Sequence, residues 1–292
     1  MSPPRLLVLG DTGLAGTAIV QAARARGLAV TGASRHGERT VDLGDAAALR
    51  ALLAELAPAT VINAAAIVSV ADCERDPDRA WRVNARPASL IAEAAREQGF
   101  RFVQISTDHF YSGDGRHAHR EDEPVVLLND YARSKYAAEA FALTAPDALV
   151  VRTNILGLKS ATGASFGEWA LGVIETDGEA TLFADQYVSI LDIWSFAEGL
   201  LDLAASEARG LINLASSQVF SKAELVEALA AALGRKLTRA RRGSVGQQAV
   251  RRPDSLGLDV GRAETVLARR LPDLPAVARR FAEQVELGGG RA

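Results

Sequence analysis

Tyr131 and Lys135 are four residues apart in the segment NDYARSKYAAEAF, and this pair is the clearest sign of chemistry in the chain. Four residues make about one helical turn, so a phenol and an ammonium would project from the same helix face. A free phenol has a pKa of about 10. A nearby positive charge favours the phenolate and lowers that pKa, so Tyr131 could exchange a proton with a carbonyl oxygen.

The alternative is that this Tyr-x-x-x-Lys spacing arose by chance on an amphipathic helix. Tyrosine and lysine are both scarce in the chain, with four of each, which makes coincidence less attractive. The pair also follows a glycine-rich N-terminus and a Ser106-Thr107-Asp108 segment at the end of an apolar run. Together these features indicate carbonyl chemistry that depends on a nicotinamide cofactor.

Composition limits the classes of partner. The 292 residues are 48% hydrophobic and 24% charged, which is enough material for a large core. A net charge of −3 provides no basic surface for a phosphate backbone, so we expect no nucleic-acid partner. The single Cys73 excludes an internal disulfide and a cysteine-built metal site, and it suits a reducing compartment. No segment resembles a targeting or membrane-spanning sequence, so we expect a cytoplasmic protein without a membrane partner.

Short apolar runs alternate with helical patterns through the first half of the chain. This alternation predicts an α/β fold, a doubly wound parallel sheet of Rossmann-like type. The predicted strands are Arg5–Gly10, Leu28–Ala33, Thr60–Asn63, Arg101–Ser106 and Leu149–Arg152. The predicted helices are Leu14–Gly27, Ala46–Ala57, Asp78–Gly99, a helix around Tyr131, and a helix from Ser221 to Leu233 with a Ser221/Glu224 capping box.

The pattern becomes less regular after the Tyr131 helix, which suggests a second part of the molecule. We expect a dinucleotide-binding domain over residues 1–155. Residues 156–292 would form mainly a smaller, interleaved substrate lobe, with sheet elements near 180–220. The polar segment 112–124 should be a surface loop beside the site and could act as a lid. Because no ligand framework surrounds His117 and His119 in it, we interpret both as solvated and predict no metal site.

A glycine turn follows the first predicted strand and opens the first helix. Glycines allow a tight turn and let backbone amides approach a pyrophosphate, whose charge the helix N-terminus favours. The spacing is G-x-x-G-x-x-G, which differs from the usual G-x-G-x-x-G fingerprint. The residues expected to contact a dinucleotide here are Gly10, Thr12, Gly13, Leu14 and Gly16.

The end of the second strand bears on the choice of cofactor. Ser34 and Arg35 lie about twenty residues beyond the glycines, where an acidic residue would bind a ribose hydroxyl and an arginine suits a 2′-phosphate. NADPH is therefore favoured and NADH is possible, unless Arg35 is simply a solvated loop arginine. Further expected cofactor contacts are Asp42 and Leu43 near the adenine, and Asn63, Ala64 and Ala65 where the ribose and nicotinamide pass.

Several motifs along nearly the whole chain match one known family. They are the glycine turn at 10–16, Asn63–Ala66, Cys73-Glu74 with Asn84 in AWRVNA, Ser106-Thr107-Asp108, Tyr131 with Lys135, Arg152-Thr153, Asp185-Gln186, residues 213–216, Ser221-Lys222, Arg252-Pro253 and Leu258-Asp259. In these positions the chain resembles the extended short-chain dehydrogenase/reductases, and within them the dTDP-4-dehydrorhamnose reductase family.

The resemblance implies a reductase of a nucleotide-linked keto-deoxysugar. In that case Thr107 would bind the substrate carbonyl, Tyr131 would donate the proton, and Lys135 would hold the nicotinamide ribose. The remaining substrate contacts would come from Asp108, His109, Asn154 and Arg252. A homodimer is also possible.

The chain departs from the family pattern in the expected substrate pocket. His109-Phe110-Tyr111 replaces the usual aromatic run, and Asn154-Ile155 replaces a Trp after Arg-Thr. Related dehydratases carry Glu where this chain has His109, so dehydration is disfavoured. Two other functions stay open. One is a non-catalytic NADP-binding subunit, similar to the regulatory β subunit of methionine adenosyltransferase. The other is a sugar-nucleotide epimerase on the same scaffold, which usually prefers NAD.

Overall fold

The computed structural model describes residues 6–158, 165–247 and 253–289. The strands are β1 (Leu6–Leu9), β2 (Val30–Ser34), β3 (Arg39–Thr40), β4 (Thr60–Asn63), β5 (Arg101–Ile105), β6 (Ala148–Arg152), β7 (Ile155–Leu156), β8 (Thr181–Phe183), β9 (Tyr187–Val188), β10 (Leu191–Asp192), β11 (Gly210–Asn213), β12 (Phe220–Ser221), β13 (Arg241–Gly243) and β14 (Ser255–Leu256). The helices are α1 (Leu14–Ala25), α2 (Ala46–Leu56), α3 (Val70–Arg75), α4 (Pro77–Ala80), α5 (Arg86–Gln98), α6 (Asp130–Ala142), α7 (Phe166–Thr176), α8 (Ile193–Ala205), α9 (Lys222–Ala232), α10 (Gly261–Leu267) and α11 (Leu274–Gly289).

The central sheet has seven strands in the order β3-β2-β1-β4-β5-β6-β11. The pairs from β3 through β6 are all parallel. Every residue of β1 and of β6 is buried, as expected for strands covered on both faces of a parallel sheet. The predicted doubly wound α/β fold is therefore confirmed, and the strand order reverses between β1 and β4.

The strand register brings the residues after β1, β4 and β5 to one edge of the sheet. Leu9 is the partner of Asn63, and Asn63 is the partner of Gln104. The glycine turn and the Ser106-Thr107 segment therefore leave the sheet at the same edge, on either side of the end of β4. Ligands of open α/β sheets bind at this carboxyl edge, next to the point where the strand order reverses.

The helix predicted over Asp78–Gly99 is interrupted. It consists of α4, a π-helical turn at Trp81–Ala85, and α5. Pro87 lies in the first turn of α5 and has no N–H to donate to the preceding turn, so a regular α-helix cannot pass through it undisturbed. Single π turns inside α-helices often occur at functional sites.

The chain divides into two compact units. Unit 1 comprises Met1–Thr107, Leu127–Arg152 and Ala197–Ile212, and unit 2 comprises Asp108–Val126, Thr153–Phe196 and Asn213–Ala292. The hydrophobic core of unit 1 includes Leu7, Leu53 and Phe102. In unit 2, α9 packs on α11, and α9 begins with the predicted capping box of Ser221 and Glu224. Among the described residues, no helix combines the length and the apolar character needed to cross a membrane.

The turn after β1 tolerates no side chain at its first residue. Gly10 adopts a left-handed φ of +84°, and a Cβ there would lie 2.8 Å from the Cα and N atoms of Ala65. We expect Gly10→Ala to destabilise the protein by more than about 2 kcal/mol, because backbone strain and steric overlap add. Urea unfolding curves measure this loss.

Gly27→Ala is the matched control. Gly27 has a similar φ of +69°, but a Cβ there would meet nothing within 4 Å, so only the strain of about 1 kcal/mol applies. Equal losses in the two variants would mean that the backbone around Ala65 moves aside without cost.

Candidate functional site

The ammonium of Lys135 is buried within unit 1, with 3% of the residue exposed. Its Nζ donates a hydrogen bond of 2.6 Å to the carbonyl oxygen of Ile105, the last residue of β5. Burial lowers the pKa of Lys135 to about 8, and the negative charge of Glu139 opposes that shift. Ile105 is the only hydrogen-bond partner of Nζ in the described part of the chain, so two N–H groups remain for a ligand.

Tyr131 lies one turn before Lys135 on α6 and is likewise buried. Two contacts fix the start of this helix. The Oδ1 atom of Asn129 accepts a hydrogen bond from the Ala132 N–H at 2.9 Å, and the Asp130 N–H donates to Oε1 of Glu74 at 2.6 Å. The phenol and the ammonium are therefore held by the well-capped first two turns of α6, as their spacing predicts.

Asn84 links the π turn to the same helix. Its Oδ1 accepts from the Ile67 N–H at 2.7 Å, and its Nδ2 donates to Oγ of Ser134 at 3.1 Å. The Ser134 hydroxyl in turn donates to the carbonyl oxygen of Tyr131 at 2.9 Å. Asn84 was not among the predicted site residues. Its only sequence signal was the AWRVNA motif that carries the family resemblance.

A buried ion pair attaches α6 to β6. Arg152 donates from Nε to Oε1 of Glu139 at 2.9 Å and from Nη2 to Oε2 at 2.8 Å, and each residue is 3% exposed. Such a bidentate pair fixes the direction of both side chains, and removing either partner would leave a buried charge. Glu139 follows Lys135 by four residues, so this pair also orients the carboxylate that faces the ammonium. Sequence reasoning missed it.

The end of β5 supplies hydroxyl groups at the carboxyl edge of the sheet. Ser106 and Thr107 are both buried. Within the described residues, the Oγ atom of Ser106 has no hydrogen-bond partner. Since a buried hydroxyl normally finds a partner, this atom is suited to a ligand group.

The glycine turn leaves the N-terminus of α1 open to an anion. Gly13 is the N-cap, no side chain caps the helix there, and its first turn has no acidic residue in this described segment. A Cβ at Gly16 would lie 2.1 Å from the carbonyl oxygen of Gly10, so only glycine fits. Exposed N–H groups and the helix dipole favour a phosphate here. The turn therefore fits the dinucleotide that the sequence predicts.

The residues expected near the adenosine lie around the end of β2. The hydroxyls of Thr12 and Ser34 are 3.1 Å apart. Arg35 is exposed and has no ion-pair partner in the described chain. Asp11, which was not predicted, has Oδ2 3.4 Å from the Glu38 N–H in the adjoining turn. The negative charge of Asp11 would disfavour a 2′-phosphate, whereas the positive charge of Arg35 would favour it.

The other predicted cofactor residues are placed by the sheet itself. Asn63 is buried and donates from Nδ2 to Oε1 of Gln104 at 2.9 Å, so its side chain is committed to the sheet. Leu43 belongs to the core of unit 1, and Asp42 is exposed with Oδ1 accepting from the Gly44 N–H. The half-buried positions are Leu14, Ala64 and Ala65.

Unit 2 contains the predicted substrate residues. Asn154 donates from Nδ2 to Oδ2 of the buried Asp108 at 2.6 Å. His109 is partly buried beside Asp108 in the chain. The structure therefore brings Asp108 and Asn154 together. Arg252 lies outside the described residues.

The interpretation of His119 as a solvated loop residue was wrong. This residue is 2% exposed, and its ring stacks on Tyr111 with centroids 4.0 Å apart. It is buried because its backbone forms an isolated parallel bridge with Leu258, more than 130 residues along the chain. His117 is partly exposed, and Glu123 contacts both rings.

Comparisons with known proteins agree with this geometry. The sequence model of the family described as the RmlD substrate binding domain matches residues 4–286. A probable low-salt glycan biosynthesis reductase of Haloferax volcanii, Agl14, is 27% identical and covers 94% of this chain and 98% of its own. A dTDP-4-dehydrorhamnose reductase of Burkholderia thailandensis is 31% identical, and the match covers 70% of this chain and 67% of that protein. The crystal structure of dTDP-4-dehydrorhamnose reductase from Bacillus anthracis with NADP superposes with a TM-score of 0.86 over 96% of this chain and 98% of its own, at 21% identity.

The buried ammonium predicts a specific dependence of stability on pH. The pKa of Lys135 falls from its ordinary 10.5 to about 8 on folding, so between these values the unfolded chain binds more protons than the native protein. Stability from this group therefore rises with pH above about 8. Relative to Lys135→Met, the wild type should gain about 1.4 kcal/mol per pH unit across this window. Urea unfolding of both proteins from pH 7 to pH 10 measures the difference, and parallel curves would contradict it.

Proposed function

The chain belongs to the RmlD substrate binding domain family, and we propose that it is an NADPH-dependent reductase of a nucleotide-linked keto-deoxysugar. The observation that carries this proposal is the buried Lys135 ammonium, with two N–H groups to spare, one helical turn from the buried phenol of Tyr131. Reductases named among the relatives support the reaction class. NADP in the Bacillus anthracis structure supports the cofactor.

The cofactor would bind along the carboxyl edge of the central sheet and supply the hydride. The open N-terminus of α1 would hold its pyrophosphate. Arg35 would donate to the 2′-phosphate, with Thr12 and Ser34 beside it. Asp11 would weaken that preference and could accept from a ribose hydroxyl, which explains why NADH remains possible. The spare N–H groups of Lys135 would donate to the nicotinamide ribose.

Proton transfer is the task of Tyr131. Its phenol would give a proton to the carbonyl oxygen of the substrate, while the Thr107 hydroxyl donates a hydrogen bond to the same oxygen. The Lys135 ammonium stabilises the phenolate that remains. Two other contacts act indirectly by holding α6 in the position that this transfer needs: Asn84 with Ser134 joins α6 to the π turn, and Glu139 with Arg152 joins it to β6.

NADPH oxidation with a panel of nucleotide-linked keto sugars tests the proposed function. Consumption of NADPH with a 4-keto-deoxysugar supports it. Binding of NADPH without turnover of any sugar would favour a non-catalytic NADP-binding subunit. Conversion of a sugar without net NADPH consumption would favour an epimerase.

Removal of the phenol should separate chemistry from cofactor binding. Tyr131→Phe keeps the ring packing but removes the acid, so turnover should fall by about 10²-fold or more while NADPH affinity persists. Tyr136→Phe is the matched control, since Tyr136 is an exposed tyrosine on the same helix and should leave turnover unchanged. Steady-state kinetics and NADPH fluorescence titrations measure both effects. Full turnover in Tyr131→Phe would exclude this residue as the proton donor.

Cofactor preference should depend on Arg35. Arg35→Ala removes a charge-assisted contact to the 2′-phosphate worth about 1.5 to 3 kcal/mol, and it should leave NADH binding nearly unchanged. Arg50→Ala is the control, because Arg50 is also exposed but already pairs with Glu93 at 2.7 Å. Dissociation constants for both cofactors decide the matter. If NADPH and NADH affinities decrease together in Arg35→Ala, the contact to the 2′-phosphate does not exist.

A further inference from the structure

Three side chains of unit 2 form a compact group of metal-ligating atoms, which we call the His–Glu cluster: His117, His119 and Glu123. Their ligand atoms all lie within 4.8 Å of one another. The Oε2 atom of Glu123 is 3.0 Å from Nε2 of His117 and 2.9 Å from Nδ1 of His119. Two imidazoles and one carboxylate form a frequent ligand set for zinc. We propose that the His–Glu cluster binds a divalent transition-metal ion of the zinc type.

The hydrogen bonds around His119 determine which ring nitrogen faces the carboxylate as an acceptor. The Ser255 hydroxyl donates its hydrogen to the carbonyl oxygen of Gly115 at 2.9 Å. It can then only accept at its 3.1 Å contact with Nε2 of His119, so Nε2 carries a hydrogen. In a neutral ring, Nδ1 therefore presents a lone pair to a Glu123 oxygen 2.9 Å away. Two such acceptors repel each other unless a cation, either a proton or a metal ion, lies between them.

This arrangement also matches the outer shell of known metal sites. A histidine that ligates a metal commonly donates its other ring N–H to an oxygen, which fixes the ring orientation. Here the Ser255 hydroxyl is the oxygen that accepts from the other ring nitrogen, Nε2 of His119, at 3.1 Å. The exposed carboxylate of Asp114 does not compete, because its Oδ2 is 4.0 Å from Nε2 of His119, beyond hydrogen-bond distance.

A backbone N–H orients the Glu123 carboxylate in the cluster. The Arg120 contact holds Oε1 at 3.1 Å. This contact leaves the Oε2 atom facing the two rings.

The position of His119 is fixed before any ion binds. The backbone N–H of His119 donates to the carbonyl oxygen of Gly257 at 2.9 Å, and the backbone carbonyl of His119 accepts from the Asp259 N–H at 2.8 Å. Its ring lies 3° from parallel to the ring of Tyr111. The His117 ring meets the His119 ring edge-on, with centroids 4.6 Å apart, and remains half exposed. One ligand is rigid and another can adjust.

The dimensions allow an ion with a small outward movement. Zinc lies about 2.0 to 2.2 Å from nitrogen and oxygen ligands, which places tetrahedral ligand atoms about 3.3 Å apart. The two observed contacts of the Glu123 oxygen are 3.0 and 2.9 Å. An expansion of about 0.3 to 0.4 Å requires a small movement of the Glu123 carboxylate away from His119 and of the half-exposed His117 side chain away from Glu123. Water entering beside this side chain would complete the coordination.

The bound ion would fasten segment 117–123 to the region around β14. The ring of His119 already contacts both regions, Glu123 of segment 117–123 through Nδ1 and Ser255 of β14 through Nε2. Because an ion that binds only the folded site adds to folding free energy, zinc should raise the thermal stability of the protein.

The test uses full-length protein without an affinity tag, stripped of metal. Zinc is titrated by calorimetry, and cobalt binding is followed by the visible absorption that four-coordinate Co²⁺ shows. The ligand variants are His117→Gln and Glu123→Gln. The matched controls are His36→Gln and Asp122→Asn, which remove an exposed imidazole elsewhere and an exposed carboxylate in the same segment.

The wild type should bind one equivalent of zinc with a dissociation constant of about 1 µM or lower. Each ligand variant should weaken binding by about tenfold or more, and the controls should bind as the wild type does. Zinc should raise the melting temperature of the wild type but not that of Glu123→Gln. If Glu123→Gln does not fold, the half-exposed His117→Gln decides alone.

Two outcomes would overturn the proposal. One is folded wild-type protein that binds no stoichiometric zinc. The other is binding that the ligand and control variants weaken equally, because the ion would then lie elsewhere.

Discussion

The buried ammonium of Lys135 is the constraint on which unit 1 depends. Moving a positive charge out of water is costly, and the lowered pKa of about 8 records that cost. The charge is stabilised by the carbonyl oxygen at the end of β5 and by a carboxylate one helical turn away. That carboxylate is held in place by Arg152 of β6. The contacts of α6 with both strands are therefore consequences of placing an ammonium at the carboxyl edge of the sheet.

The rest of unit 1 presents backbone and hydroxyl groups to the same edge. The glycine turn ends β1 with uncapped N–H groups, and β5 ends with a buried hydroxyl. Each of these groups is incompletely satisfied by the described protein, and each would gain a partner from one dianionic or polyhydroxyl ligand. Ligand binding and the stability of this unit are thereby coupled, because the ligand recovers interactions that folding leaves incomplete.

Sequence patterns predicted the parts of the fold that depend on neighbouring residues. Alternating apolar runs identified β1, β4 and β5 within one residue of their bounds, and Ser221 with Glu224 identified the start of α9. The π turn was missed because its cause, Pro87, is tolerated in the first turn of a helix. Asn84 and Ser134 are fifty residues apart, and no local pattern reports a hydrogen bond between them. His119 was misassigned for the same reason, since its burial comes from a bridge to Leu258.

Unit 1 follows the family pattern more closely than unit 2 does. The glycine turn, Tyr131 and Lys135 lie in unit 1, where the geometry suits a nicotinamide dinucleotide. The departures at His109 and Ile155 lie in unit 2. In unit 2 the buried carboxylate of Asp108 accepts a hydrogen bond from Nδ2 of Asn154. Asn154 directly precedes Ile155, and the family pattern has a Trp after its Arg-Thr pair where this chain has Asn154-Ile155. The chain therefore keeps the glycine turn, the tyrosine and the lysine of the family pattern in unit 1, and it departs from that pattern beside a buried polar pair in unit 2.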